Sequence, residues 1–209
     1  MYRKFFKRII DFTGALVLLL VALIPFVISA VLIRIDSKGP VIFKQKRIGK
    51  GGKIFYIYKF RTMIIDTHKN GIEIPHEQRL TKVGKFLRKT SIDELPQILN
   101  ILKGEMSFIG PRPWIEEYFE FFTEEQKRRT DVLPGLTGWA QAQGRNNLSV
   151  IEKINYDIYY IENLSLKMDA KTVLMTIATI FSTEGAEITW DGIKEEINVL
   201  RAQEAKKQI

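Results

Sequence analysis

Twenty-two consecutive residues without a formal charge, Phe12 to Ile33, bracketed by Asp11 and Arg34, constrain this 209-residue chain more than any other feature. As a helix rising about 1.5 Å per residue, the run would just cover a hydrocarbon core of roughly 30 Å. A secretory signal would have a shorter apolar stretch and a small-residue cleavage site; no such site stands out, so the segment is read as part of the mature protein. Pro25, near its middle, removes one helical hydrogen bond and crowds the preceding turn, which predicts a kink or break. Basic residues flank both ends: Arg3, Lys4, Lys7 and Arg8 before, then Arg34, Lys38, Lys44, Lys46 and Arg47 after. A single span cannot keep both clusters on the cytoplasmic side, whereas a segment that enters, bends at Pro25 and leaves by the same face can. The expected arrangement over residues 1–36 is therefore a re-entrant helix-break-helix, with a kinked single-pass anchor as the alternative.

The net charge of +8 is unevenly placed. Residues 1–61 hold 13 basic and two acidic side chains, and residues 62–209 hold 19 and 22. Positive charge gathered beside the apolar run points to an anionic membrane surface or a phosphorylated substrate. For the same reason no nucleic-acid partner is expected. Hydrophobic residues at 45% are enough to build a core. The lack of cysteine excludes disulfides, thiolate zinc sites and cysteine nucleophiles.

Lys38 to Met63 alternates in strand fashion about Gly49-Lys50-Gly51-Gly52, which predicts a β-hairpin. Lys59 and Arg61, two apart in its second strand, are expected on one face. Thr62 to His76 reads as loop with a turn at Asn70-Gly71, and helical spacing from Leu80 to about Lys103 is interrupted near Thr90-Ser91. Trp114, Tyr118, Phe121 and Phe122 fall at helical spacing and form an aromatic face suited to a core or to a membrane interface. Residues 134–147 read as a glycine-rich loop, Tyr156 to Phe181 as a helix, and Ile188 to about Lys206 as another, with Ile193, Ile197 and Leu200 on one stripe. The expected fold is α+β and mostly α-helical: a membrane anchor (1–36), a catalytic domain (37–184) with a small β-hairpin and amphipathic interfacial helices, and a C-terminal helical extension (185–209).

Ser91-Ile92-Asp93-Glu94 fits a capping box ahead of Leu95, Pro96 and an apolar helical pattern. The acid pair is then expected in a helical first turn, where exposed N–H groups keep a carboxylate ionised and offer a seat to phosphate. Cations accumulate around it in the sequence: Lys59, Arg61, Arg88, Arg112 within Gly110-Pro111-Arg112-Pro113, and Arg145 in the glycine-rich stretch. Prolines on both sides limit the backbone freedom of Arg112, which suits a guanidinium held against phosphate. Several such arginines together point to a polyphosphate site. No Walker-type run, Asp-x-Asp motif or nucleophile elbow is present, and His68 and His76 are not expected to be metal ligands or a base.

The ordered motifs Gly39-Pro40-Val41-Ile42-Phe43, Lys59-Phe60-Arg61-Thr62-Met63, Ser91 to Gln97, Met106 to Pro113 and Pro134-Gly135-Leu136-Thr137-Gly138 resemble those of bacterial sugar transferases. The resemblance is to the monotopic polyprenyl-phosphate phosphoglycosyl transferases in their minimal form, and it runs from the apolar segment to about Met168. It implies transfer of a sugar-1-phosphate from a UDP-sugar to polyprenyl (undecaprenyl) phosphate with release of UMP, the first membrane step of glycoconjugate biosynthesis. It makes Asp93 the nucleophile, forming a covalent phosphosugar, and places Glu94 at a Mg2+ ion. Arg88, Arg112 and Arg145 are the implied phosphate contacts, with Lys59 and Arg61 behind them, and Asp157 as a residue that orients an arginine or the metal. The resemblance also implies a bacterial cytoplasmic-membrane location with a cytoplasmic active site, membrane phospholipids as surroundings, and downstream glycosyltransferases as candidate partners. The competing readings are a membrane-bound glycosyltransferase that releases UDP and a non-catalytic membrane scaffold. The identity of the sugar is not legible in these residues.

Overall fold

The computed structural model describes residues 1–69, 72–144, 148–181 and 195–202. The chain divides into two units, one of Met1–Asp11, Lys46–Phe55 and Gly104–Ile209, the other of Phe12–Gln45 and Tyr56–Lys103. Both are mainly helical, with short two-stranded sheets.

After a π-helical turn at Tyr2–Phe6, α1 (Lys7–Val21) and α2 (Leu23–Asp36) follow one another with a 61° bend. Among the described residues no single helix is long and apolar enough to cross a membrane, but this bent pair is apolar enough when taken together. The break lies at Ala22, with Pro25 already inside the first turn of α2. Pro25 cannot donate to the Val21 carbonyl and its ring crowds the turn before it, so the disturbance surfaces upstream of the ring. The neighbouring bonds survive: Ala22 N donates to Leu18 O, and Phe26 N to Ala22 O, both at 2.8 Å. Leu20, Val21, Ile24, Val27, Ile28 and Val31 are each more than half exposed, an apolar area unusual on a surface that faces water.

β1 (Ile42–Ile48) and β2 (Ile54–Phe60) form the hairpin around a turn at Lys50–Gly52; Ile42–Gln45 and Tyr56–Phe60 fall in the unit that contains most of the bent pair, and Lys46–Phe55, with the turn, in the other. Phe60 is buried with Ile33 and Leu87, and Phe26, Val41, Ile42, Val83, Ile92 and Leu95 pack against that cluster. Two-residue strands β3 (His68–Lys69) and β4 (Ile72–Glu73) pair antiparallel within the stretch read as loop; the Asn70-Gly71 turn between them lies outside the described residues. Helix α3 (Lys82–Lys89) starts on two acceptors: Gly84 N donates to Thr81 Oγ1 and Val83 N to Asp36 Oδ2, each at 2.9 Å. These occupy N–H groups that a first turn leaves without helical partners. Helix α4 (Gln97–Lys103) lies along the hairpin through the fully buried Asn100, whose Oδ1 accepts from Tyr58 N (3.0 Å) and whose Nδ2 donates to Tyr56 O (2.7 Å).

In the other unit, β5 (Ser107–Ile109) runs parallel to β6 (Gly135–Thr137). After the Glu116–Phe121 3-10 helix comes the short α5 (Glu124–Lys127), closed by a Thr123–Gln126 capping box. The stretch read as a glycine-rich loop is instead β6 and helix α6 (Trp139–Gly144), with residues 145–147 outside the described set. Its glycines serve close approach rather than flexibility: a Cβ on Gly135 would stand 2.2 Å from Gly110 N, and one on Gly138 2.1 Å from Gly110 O. The helix expected from Tyr156 to Phe181 is two helices, α7 (Val150–Glu162), opened by a Ser149–Glu152 capping box, and α8 (Leu166–Phe181). Trp114, Tyr118 and Phe122 are buried with Val150, Ile154 and Leu200, so the aromatic face belongs to the core rather than to an interface. Residues 195–202 are helical; the rest of the expected C-terminal helix, Ile193 included, lies outside the described residues.

Asp169 of α8 collects three donors, Tyr2 Oη (2.5 Å), Lys7 Nζ (2.7 Å) and Tyr160 Oη (2.6 Å). Nearby, Asp11 accepts from Phe108 N at 3.1 Å. Burial raises the Asp11 carboxyl above the ordinary carboxylate range, partly offset by Lys7 and the Phe108 bond. The folded state therefore holds that proton more tightly than the unfolded chain, and ionised Asp11 weakens folding once pH rises through the folded value. Asp11→Asn keeps the acceptor oxygen and removes the charge. Its melting temperature in detergent should match the parent below about pH 4 and exceed it at pH 7; equality at both would show that Asp11 ionises without penalty.

Candidate active site

Between α3 and α4 the chain makes a 3-10 turn, Ile92–Glu94, entered through Ser91 at φ 56°, ψ 15°. Among the described residues Ser91 is the one non-glycine with positive φ, a conformation costing a side-chain-bearing residue roughly 1–2 kcal/mol. The expected capping box does not form. The Ser91 side chain makes no cap bond, and Glu94 Oε1 accepts from Lys59 Nζ at 2.7 Å. Because α4 begins only at Gln97, after Pro96, the acid pair precedes the helix by a turn. Ile92 and Leu95, on either side of the pair, pack on the Ile33, Phe60 and Leu87 cluster and hold the turn in its strained form. Asp93 is 9% exposed; the Lys59 and Glu94 side chains are 20% and 21% exposed.

Arg88, in the last turn of α3, donates from Nε to Thr62 Oγ1 at 3.0 Å. Gly84 permits that approach, since a Cβ there would stand 2.0 Å from Thr62 O. Gly84→Ala should push α3 off the Thr62 backbone and cost about 1–3 kcal/mol, read as a lower denaturation midpoint; an unchanged midpoint would mean the helix yields freely.

Arg61 does not share a partner with Lys59. β2 ends at Phe60, and the buried Arg61 guanidinium turns to the Lys38 carbonyl and, at 2.7 Å, to the Ser37 carbonyl. Burial, with the Arg34 charge adding to it, lowers the Arg61 pKa from its usual value. Gly39, at φ 119°, completes this turn: a Cβ would stand 2.3 Å from Arg61 Nη1. The strand alternation that predicts a shared face stops one residue too early to reach Arg61.

Arg112 and Asp157 belong to the other unit. Arg112 is exposed between the buried Pro111 and Pro113. Asp157 is buried and ion-paired with Arg129, whose Nε donates to Asp157 Oδ2 at 3.1 Å and whose Nη2 donates to the Arg112 carbonyl at 3.0 Å. Burial raises the Asp157 carboxyl and the Arg129 charge opposes it. Arg129 escapes a sequence reading because nothing local separates it from its basic neighbours Lys127 and Arg128. Only the packed rings reveal it, with Arg129 Cζ 4.4 Å from the Trp114 ring centre. Arg145 lies outside the described residues.

Among the described residues no group of three or more His, Cys, Asp or Glu side chains could by itself hold a metal ion. Magnesium does not require one: it takes one or two carboxylates and completes its octahedron with water and substrate phosphate oxygens. The adjacent hard oxygen donors of Asp93 and Glu94 fit that pattern.

The chain matches the bacterial sugar transferase family over residues 2–183 and belongs to it. It is 44% identical over 183 residues to the Uncharacterized sugar transferase EpsL of Bacillus subtilis, covering 88% of this chain and 91% of that one. It is 38% identical to the UDP-glucose:undecaprenyl-phosphate glucose-1-phosphate transferase of Caulobacter vibrioides, covering 86% of this chain and 71% of that enzyme. A third relative, the UDP-N-acetylgalactosamine-undecaprenyl-phosphate N-acetylgalactosaminephosphotransferase of Aeromonas hydrophila, is 41% identical over 87% of this chain, which spans 45% of that protein.

Proposed function

We propose that this protein transfers a sugar-1-phosphate from a UDP-sugar to undecaprenyl phosphate and releases UMP. The observation that carries the proposal is the Asp93-Glu94 turn, held between two anchored apolar residues, with the Lys59 ammonium on Glu94. Family membership and the printed activities of the Caulobacter and Aeromonas relatives support the reaction class.

An Asp93 carboxylate oxygen attacks the sugar-linked phosphorus. The bond from that phosphorus to the bridging oxygen breaks, and UMP departs with the electron pair. A lipid phosphate oxygen then attacks the phosphosugar-aspartate, freeing the carboxylate and leaving a lipid-diphosphate sugar. An ionised aspartate needs no base for this. Lys59 and Arg88 carry positive charge toward the diphosphate. Glu94, with Asp93 beside it, would hold a magnesium ion, which when bound would neutralise charge on the diphosphate and the leaving group.

The bent α1–α2 pair, with basic flanks at both ends, is proposed as a re-entrant anchor that enters and leaves on the cytoplasmic face of the bacterial membrane. On α8, Leu166, Val173, Leu174 and Ile177 are exposed while Met168, Asp169 and Thr172 are buried, an amphipathic arrangement suited to the interface. Incubating the full chain with undecaprenyl phosphate and a panel of UDP-sugars should release UMP with at least one of them. Release of UDP would identify transfer of the sugar alone and defeat the proposal.

A further inference from the structure

A second polar cluster in the α1–α2 unit takes no part in the proposed reaction. Ile42, Lys44, Tyr58, Leu99, Leu102 and Lys103 line an open cavity of about 510 Å3 between the hairpin and α4. Two ammonium groups converge on one ring there, Lys103 Nζ 4.5 Å and Lys44 Nζ 5.7 Å from the Tyr58 centroid. Lys103 Nζ also donates to Tyr58 Oη at 2.6 Å. A phenol oxygen that accepts still has its own proton to give, and among the described residues that O–H has no acceptor. Three donors on an apolar floor of Ile42, Leu99 and Leu102 match an anion attached to a hydrocarbon chain. Ile42 joins this floor to the Phe26 and Ile33 cluster of α2, the helix whose outer side chains are the most exposed apolar surface of the unit.

The geometry points to a site for one anionic glycerophospholipid, its phosphate on Lys44, Lys103 and the Tyr58 hydroxyl and its first carbons on Ile42, Leu99 and Leu102. The acceptor lipid is disfavoured as occupant by the pleat of β2. Successive side chains leave a strand on opposite faces, so Tyr58 opens to the cavity while Lys59 goes to Glu94. A phosphate bound at Tyr58 is thereby held away from the acid pair. The role this gives the site is to fix the hairpin to a resident bilayer lipid.

The test uses the full chain in detergent and native mass spectrometry, with dioctanoyl phosphatidylglycerol as probe. Dioctanoylglycerol, which lacks phosphate, and a short polyprenyl phosphate are the comparison ligands. The parent should retain one phosphatidylglycerol at low micromolar probe and bind the phosphate-free lipid at least tenfold more weakly. Lys44→Gln with Lys103→Gln should weaken the phosphatidylglycerol adduct at least tenfold, and Tyr58→Phe should weaken it severalfold. Polyprenyl phosphate binding and UMP release should stay within twofold of the parent. Undiminished phosphatidylglycerol binding in the double variant would overturn the site, and a parallel loss of polyprenyl phosphate binding would reassign it to the acceptor. Adduct formation is read without turnover, so failure of the proposed reaction would leave this result standing or falling by itself.

Discussion

Asp93→Asn should lower UMP release by roughly 1,000-fold or more, the scale of loss when a covalent nucleophile is removed. The substitution is nearly isosteric, so the tightly packed 92–95 turn should keep its shape and α1–α2 should keep the protein on the membrane. In the parent, UDP-sugar without acceptor lipid should add one phosphosugar mass to the peptide containing Asp93, and labelled UMP should exchange into UDP-sugar. Both signals should vanish in the variant. Normal turnover in Asp93→Asn would end the covalent proposal. Glu94→Gln separates chemistry from folding: the glutamine amide oxygen can still accept from the mostly buried Lys59 ammonium, so losing only the counter-charge should cost about 1–3 kcal/mol of stability. A fall in turnover of roughly 100-fold or more in protein that is still folded at the assay temperature would assign Glu94 to the reaction rather than to the scaffold.

The largest expected effect on stability lies at Asp157. Removing it as Asp157→Ala leaves the Arg129 guanidinium buried between Trp114 and Phe122 without its counter-charge, and should cost about 3–5 kcal/mol. Arg129 also donates to the Arg112 carbonyl, so the segment presenting Arg112 should loosen with it. The pair as a whole is expected to contribute far less than either half appears to. Arg129→Met with Asp157→Leu removes both charges together and should regain most of the loss, because no group is left desolvated and unpaired. Denaturation midpoints of the two single variants and the double variant decide this. If Asp157→Ala melted with the parent, Arg129 would have to reach water or another acceptor.

Much of the candidate site was legible because it is written in adjacent residues. Asp93 and Glu94 are neighbours, and the uncharged run with Pro25 inside it predicts a bent helical pair. The errors share a cause. Ser91-x-x-Glu94 satisfies the local rule for a capping box, but Lys59, 35 residues upstream of Glu94, takes the glutamate instead. Gly135 and Gly138 read as loop because glycine usually signals freedom, whereas here it allows two backbones to meet. Trp114, Tyr118 and Phe122 have a spacing compatible with core or interface, and the arrival of Val150, Ile154 and Leu200 settles the choice.

Taken alone, the order of amino acids determined the apolar helical pair, the position of its bend to within a turn, the hairpin, the family motifs and the acid pair, since each depends on residues close together in the chain. Tertiary structure alone decided which cations are available and which are committed: Lys59 to Glu94, Arg61 to the Ser37 and Lys38 carbonyls, and Arg129 to Asp157. A charged side chain has the same sequence signature in water and in a core. What it bonds to depends on distant segments that must desolvate it and supply its partner.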